Sequence, residues 1–437
     1  MKRHRIVTIA CALLACAAGE AGAQSPAPSA RSFALANSYM ARARGYEAPF
    51  WNPANLGLPD RPSFSIGLPG ASVYLNNNSL SYGQIADLYG EYIDDATKSE
   101  LLADIRQDDP DRMFELSFDV GAHAVAASIG RFAFGVGAVG AGNLEVSPDA
   151  LELLLFGNVG EDGTGGDFSL ERSHAQAWAM STAFASYAQP FNIPALDWLN
   201  TQFAVGATVR YGVAHGFVQL NDRGSLLTSD PLVLDAEADV MNSTDADAGR
   251  VWSVDLGAAM DYDSLLTLGV SLQNAFANIS WNEEEFELTS YSITADFDST
   301  TLTDTTRTFS ELAPDEQQRI VETLKEADVP KRLRLAAAYR LSPNLNVSAD
   351  YTELIGGTLR ASWDRTFAVG GELRLIPALP LRAGLATDFS QLAYTGGLGI
   401  YIGPVHTDFA IGRWGVAGGD GLVTALSISV WGTGSGY

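Results

Sequence analysis

Cysteine is nearly missing from these 437 residues, and the two that occur, Cys11 and Cys16, both lie within the first twenty. Residues 24 onward therefore contain no disulfide, no reactive thiol and no Cys-ligated metal, and a fold of this size does not need such staples. Basic charge is also scarce: 27 Lys and Arg stand against 52 Asp and Glu, a net charge of -25. So acidic a chain is a poor partner for nucleic acid, and no nucleic-acid partner is expected. Long apolar runs are missing as well. The one run, Ile6–Ala18, is too short for a spanning helix, and nothing comparable follows, which removes helical membrane proteins from consideration. Histidines number five. That leaves few bases for catalysis, no Gly-x-Ser-x-Gly elbow marks a nucleophile, and no enzymatic activity and no cofactor are expected.

The N-terminus has the form of a secretory signal over residues 1–23: Lys2, Arg3 and Arg5, the apolar run, then Ala21-Gly22-Ala23. Leu13-Leu14-Ala15-Cys16 also has the outline of a lipoprotein cleavage box. Residues 24–61 are Pro- and Gly-containing and carry no strand period, so they read as a compact irregular segment preceding a sheet.

From residue 62 onward the chain alternates apolar with small or polar residues in segments of about ten, a strand signal. In Arg365–Ile376 one face carries Phe367, Val369, Leu373 and Leu375, and the other carries Thr366, Ala368, Glu372 and Arg374. The alternation predicts strands at 63–76, 114–129, 131–145, 170–189, 201–220, 250–262, 265–281, 331–341, 345–355, 365–376, 381–389, 392–402, 405–414 and 421–432. Two of these, around 177–188 and 270–281, alternate poorly. The connections sort into short turns and longer acidic loops in strict alternation. Fourteen antiparallel strands with short turns at one rim and long loops at the other are the pattern of a transmembrane barrel of the bacterial outer membrane. Tyr187, Trp198, Tyr262, Tyr339, Tyr401 and Trp414 fall near strand ends, as an interfacial girdle would. Short helices are expected in two or three loops, the clearest at Ala96–Ile105.

Several segments resemble the FadL-type long-chain fatty-acid transporters. They are Gly45–Leu56 with the triplet Asn52-Pro53-Ala54, then Asp60–Ser65, and the run Leu272-Gln273-Asn274-Ala275-Phe276. A closer resemblance, to an uncharacterised branch of FadL-like barrels, is carried by Leu75–Ser79, by Asp255-Leu256-Gly257-Ala258-Ala259 and by Ser280-Trp281-Asn282. The resemblance implies an all-β, fourteen-stranded outer-membrane barrel at 62–437 with residues 24–61 as an N-terminal plug, and inward movement of hydrophobic molecules. Asn52, Pro53 and Ala54 are then the candidate gate. Arg332, Arg334 and Arg340, in phase on one strand, are the candidate lumen contacts for an anionic amphiphile. Expected partners are outer-membrane lipids and a hydrophobic small molecule. A barrel that serves a secretion system or anchors a surface protein is the alternative. Asp408 beside His406 suggests an acid–base pair for a serine, and runs such as Asp245-Ala246-Asp247 and Glu283-Glu284-Glu285 suggest Ca²⁺ ligands; ordinary cross-strand ion pairs and solvated loop tips are the competing readings.

Overall fold

The computed structural model describes residues 29–81, 84, 93–107, 109–157, 160–161, 167–169, 172–227, 233–295, 300–359, 364–389, 391–414 and 421–433. The signal sequence, the Gly163–Gly166 run and Tyr437 lie outside these. No described helix is long and apolar enough to cross a membrane; the crossing is made by strands.

Fourteen strands pair antiparallel in chain order. They are β1 (Phe64–Gly67 and Gly70–Asn77), β2 (Phe114–Ile129), β3 (Phe132–Val146), β4 (His174–Phe191), β5 (Thr201–Leu227), β6 (Gly249–Tyr262) and β7 (Leu266–Trp281), followed by β8 (Lys331–Ser342), β9 (Leu345–Ile355), β10 (Arg365–Leu373), β11 (Leu381–Thr387), β12 (Leu392–Ile402), β13 (Val405–Trp414) and β14 (Gly421–Trp431). The ring closes because β14 pairs back onto both pieces of β1, Trp431 opposite Ser65 and Leu422 opposite Leu75. Closure leaves no unpaired edge at membrane depth, which lipid demands of a strand structure. The outward face is apolar: Val205, Val209, Leu256, Val270, Leu335, Val369, Leu385 and Phe409 are all exposed. The inward face holds His123, Asp255, Arg334, Asp350, Glu372, Arg382 and Asp408, all buried. A charged interior behind an apolar exterior places this wall in a membrane, and its form is that of an outer-membrane barrel.

The short turns, at 130–131, 192–200, 263–265, 343–344, 374–380 and 403–404, share one rim. The long connections share the other and hold helices Asp95–Arg106, Pro148–Phe156 and Pro314–Glu326. Three long connections carry strands where the sequence reading expected loop: the two-residue Phe168–Ser169 pairs with the end of β5, and the other two build a larger outer sheet. Val233–Ser243 pairs with the overhanging end of β5 and with Phe286–Ala295, which pairs with Thr300–Thr308. Asp235, Glu237 and Asp239 alternate with Leu234, Ala236 and Ala238, so the acidity masked a strand period.

The two weakly alternating strands differ in cause: β4 keeps one inward parity, with Trp178, Met180, Phe184, Ser186 and Ala188 buried, and alternates poorly because alanine and serine occupy both faces, whereas β7 is bulged, as is β5 beside β4. Ala179 pairs with Gly216 and Met180 with Ala214, leaving one extra residue, His215, on β5. On β7, Leu272 pairs with Leu256 and Phe276 with Val254, so three residues face one. Asn274 sits there at φ +51°. Bulges shift which parity faces inward, and a pattern of period two breaks across them.

Candidate functional site

Residues 29–61 lie within the barrel as a string of short helical turns, and almost every side chain of the segment is buried. Its first turn, Ala30–Phe33, packs on β12, β13 and β14, while Pro53–Gly57 packs on β4, β5 and β6. The segment thus reaches opposite walls of the lumen.

On the β9–β14 side it is held by charge. Arg42 reaches Glu372 at 2.6 Å, and the same carboxylate takes Arg374 at 2.8 Å and Arg382 at 2.6 Å. Arg382 also meets Asp408 at 2.7 Å, and Arg31 lies 3.5 Å from Asp408 and 3.7 Å from Glu47. Asp350 accepts the backbone N–H groups of Met40 and Tyr39 at 2.8 and 3.2 Å. Of the two readings of His406 and Asp408, the structure shows the ion pairs and not the acid–base pair. Asp408 serves two arginines and the Tyr401 hydroxyl, while His406 stacks on Tyr401 with Nδ1 3.3 Å from Arg31. Tyr401, expected in the girdle, is turned inward by its parity on β12. Tyr187, Trp198 and Tyr339 are outward and exposed.

The Asn52-Pro53-Ala54 triplet docks on the opposite wall. Asn52 Nδ2 donates to the carbonyls of Ala258 and Val270 at 2.9 and 3.3 Å, and Asn52 Oδ1 accepts from Ala54 N at 3.0 Å, which also caps the turn Pro53–Gly57. A Cβ on Gly257 would meet Asn52 Oδ1, and one on Gly206 would stand 2.5 Å from the backbone of Pro53 and Ala54. Glycine at these two wall positions is what lets the triplet lie flush. Gly257 belongs to the Asp255–Ala259 run noted in the sequence, so two separated motifs prove to be two sides of one contact.

Beside this contact a cavity of about 110 Å³ opens toward the long-loop rim. Its apolar lining comes from Phe50, Val139, Met180, Val251 and Val329, and its polar lining from Arg210, Asp255, Gln273, Asn274 and Arg332. Arg210 pairs with Asp255 at 3.0 Å and donates to the Pro49 carbonyl at 2.8 Å. Gln273 donates to the Phe50 carbonyl at 2.6 Å and accepts from Arg334 at 2.7 Å. Arg334 lies over the Trp51 ring at 4.9 Å, a favourable cation–π placement. Among the described residues no carboxylate forms an ion pair with Arg334. The structure thus brings Arg332 and Arg334 together near the triplet. Arg340 keeps their inward phase but is exposed at the short-turn rim, lining a smaller cavity of about 60 Å³ with Arg42, Arg44 and Arg374. Sequence reasoning missed Gln273 as the link between segment and wall, although it lies in a motif singled out above. Arg210 lines the same cavity from β5.

Above the cavity, Trp178, Phe217, Trp281, Phe286, Ile320 and Leu324 form one apolar cluster that joins the outer sheet and the helix Pro314–Glu326. Arg307 grips Glu316 of that helix at 2.6 and 2.8 Å and holds its carboxyl below the usual glutamate range. Among the described residues, no group of three or more acidic or histidine side chains is arranged to hold a metal. Asp247 of the suggested Ca²⁺ runs is bound by Arg250.

No protein-family model matches the chain, and no curated protein matches it. Among solved structures it is similar to the Ralstonia pickettii toluene transporter TbuX, at 15% identity and TM-score 0.49, covering 93% of this chain and 99% of that one. It is also similar to the CymD monoaromatic hydrocarbon channel, at 12% identity and TM-score 0.48, with 94% and 97% covered. A Pseudomonas aeruginosa FadL homologue matches at 14% identity and TM-score 0.47, with 94% and 99% covered.

Proposed function

We propose that this barrel is a passive uptake channel for hydrophobic or amphipathic small molecules of fatty-acid-like character, with residues 24–61 as its plug. The observation that carries the reading is the cavity at the face of the buried segment, with apolar walls and a cationic end. Its volume is near that of engineered cavities that hold one small apolar molecule. An amphiphile lays its apolar part between Met180, Val139 and Val251 and its anionic head toward Arg332 and Arg334. Gln273 couples occupancy to gating. A head group that takes the Arg334 N–H from Gln273 loosens the bond from Gln273 to the Phe50 carbonyl and frees the Asn52-Pro53-Ala54 turn to move.

The test compares single-channel conductance of the wild-type barrel with a deletion of residues 24–61, alongside mass spectrometry of apolar species that co-purify. Raised leakage of small solutes in the deletion and enrichment of a defined amphiphile support the reading; unchanged leakage from a folded deletion barrel rejects the plug. A non-transporting barrel that serves secretion or surface anchoring is the second reading. It is favoured by Thr300–Thr308, an exposed strand at the end of the outer sheet that pairs on one side with Phe286–Ala295. A stable protein partner without ligand uptake would establish that reading.

A further inference from the structure

On the lipid-facing side of the wall, one pair of side chains has a geometry that neither the barrel nor the plug uses. Ser181 of β4 stands in register with Val213 of β5. Its neighbours Met180 and Trp178 are buried among the inward apolar cluster, so Ser181 faces out. His215 is the extra residue of the β5 bulge, and the bulge swings its ring to the same outer face. His215 Nε2 lies 2.6 Å from Ser181 Oγ, and His215 Nδ1 lies 2.7 Å from the carbonyl oxygen of Ala246. A carbonyl can only accept, so Nδ1 carries the proton and Nε2 is left as the acceptor of the serine hydroxyl. The order is nucleophile, base, orienting group, the arrangement that activates a serine.

The depth of the pair fits that chemistry. One register step toward the membrane centre, Tyr211 and Trp252 are paired and face lipid, 61% and 43% exposed. Such aromatics mark the interface. At the level of Ser181 the outward row continues through Val213 to Arg250 and then Ser280, so the wall has become polar. Arg250 lies two strands from Ser181, about 10 Å at the usual strand spacing, and it is held by Asp247. The serine thus sits where the ester linkages of outer-leaflet lipids meet their head groups, with a cation to one side for a phosphate.

We propose that Ser181 and His215 form a catalytic pair that hydrolyses an acyl ester of a membrane lipid at the outer interface. Ser181 Oγ forms a bond to the ester carbonyl carbon while His215 Nε2 takes its proton. The carbon–oxygen bond to the alcohol breaks, and His215 returns that proton to the leaving alkoxide. Water then adds to the acyl-serine, with His215 again taking a proton and passing it to Oγ, which releases a free acid and restores the hydroxyl. The Ala246 carbonyl is a positioning group that fixes the ring and its tautomer.

The experiment uses the full-length barrel in detergent micelles, with a phospholipid carrying a fluorogenic acyl ester as substrate and a fluorophosphonate as active-site probe. Hydrolysis by the wild type is expected to fall at least about a hundredfold in Ser181→Ala and in His215→Asn, the usual scale for loss of a nucleophile or base, and to be unchanged in His174→Asn. The probe's label is expected to map to Ser181 and to disappear in His215→Asn. Heat-modifiability on gels verifies that each variant is a folded barrel. A folded wild type that neither turns over the ester nor takes the probe at Ser181 overturns the proposal. Turnover that survives both substitutions does so equally.

Discussion

The wall from β9 to β14 and the wall from β2 to β7 bound the same lumen with opposite constructions. The first is low and regular. Its strands run 7 to 11 residues, and among the described residues no bulge interrupts its ladders. Small inward residues let the buried segment press close; a Cβ on Gly384 would stand 2.2 Å from the backbone of Leu35. Its charges are matched, with Glu372 and Asp408 serving four arginines between them. The second wall is tall, 14 to 27 residues per strand, and broken by bulges near Ala124, His215 and Asn274. It holds the cavity and, on the adjoining strand β8, borders Arg334, with which no described carboxylate forms an ion pair. Regular pairing with matched charge makes a clamp, whereas bulged pairing leaves room for a cavity.

Removing one member of the clamp should have the largest effect. Glu372→Ala leaves Arg42, Arg374 and Arg382 without their shared carboxylate, and the loss of one partner from a buried ion network costs about 3–5 kcal/mol. Denaturant unfolding of the solubilised barrel measures it, and a cost below about 1 kcal/mol would mean the network is not the clamp described. On the opposite wall, Gly257→Val should push Asn52 off its carbonyls and destabilise by about 1–3 kcal/mol, as overpacking does. The same variant should raise single-channel conductance if the triplet is the movable part.

A matched pair of substitutions sharpens the contrast. Arg382→Leu should destabilise strongly, because it removes the buried guanidinium that bridges Glu372 and Asp408. Arg334→Leu should cost less, about 1–3 kcal/mol, because what it leaves unpaired is the neutral Gln273 Oε1 and not a shared carboxylate. Arg334→Leu should instead weaken binding of a fluorescent fatty acid about tenfold or more, the scale of a charge-assisted hydrogen bond. Equal stability losses in the two variants would erase the distinction between the walls.

The smallest effect is expected outside the membrane. Glu316→Gln removes the bond that anchors the outer helix to Arg307, a half-exposed pair worth under about 1 kcal/mol. Because Arg307 holds the Glu316 carboxyl below its ordinary value, the pair's contribution is complete at neutral pH. It is lost only as pH falls through the lowered folded value, so wild type and variant should converge in acid and differ at pH 7. Thermal melts at two pH values follow this directly.

Much of this was legible in the chain before folding was considered. Strand limits at 114–129, 345–355, 392–402 and 405–414 agree with the observed strands because a wall with lipid on one side and charge on the other enforces period two. The pattern fails at Asn274 and His215, where a bulge changes parity, and at Val233–Ser243, where acids occupy the polar positions of a strand that stands in water. Asn52-Pro53-Ala54 stood out as a non-strand turn, and the three arginines as an inward set. That Arg340 belongs to the rim and Arg334 to the interior was not readable, since phase fixes the face of a strand and says nothing of depth.

By itself the sequence determined the fold class, the number of barrel strands and the sorting of short turns from long loops, because these follow from local alternation and local turn chemistry. Tertiary structure decided which carboxylate holds which arginine, that Gly257 and Gly206 receive the triplet, and that His215 meets Ser181. Each of those contacts joins residues tens to hundreds of positions apart. Their meeting depends on the stagger at which the ring of strands closes and on where its bulges fall, quantities set by the whole barrel at once and by no single stretch of the chain.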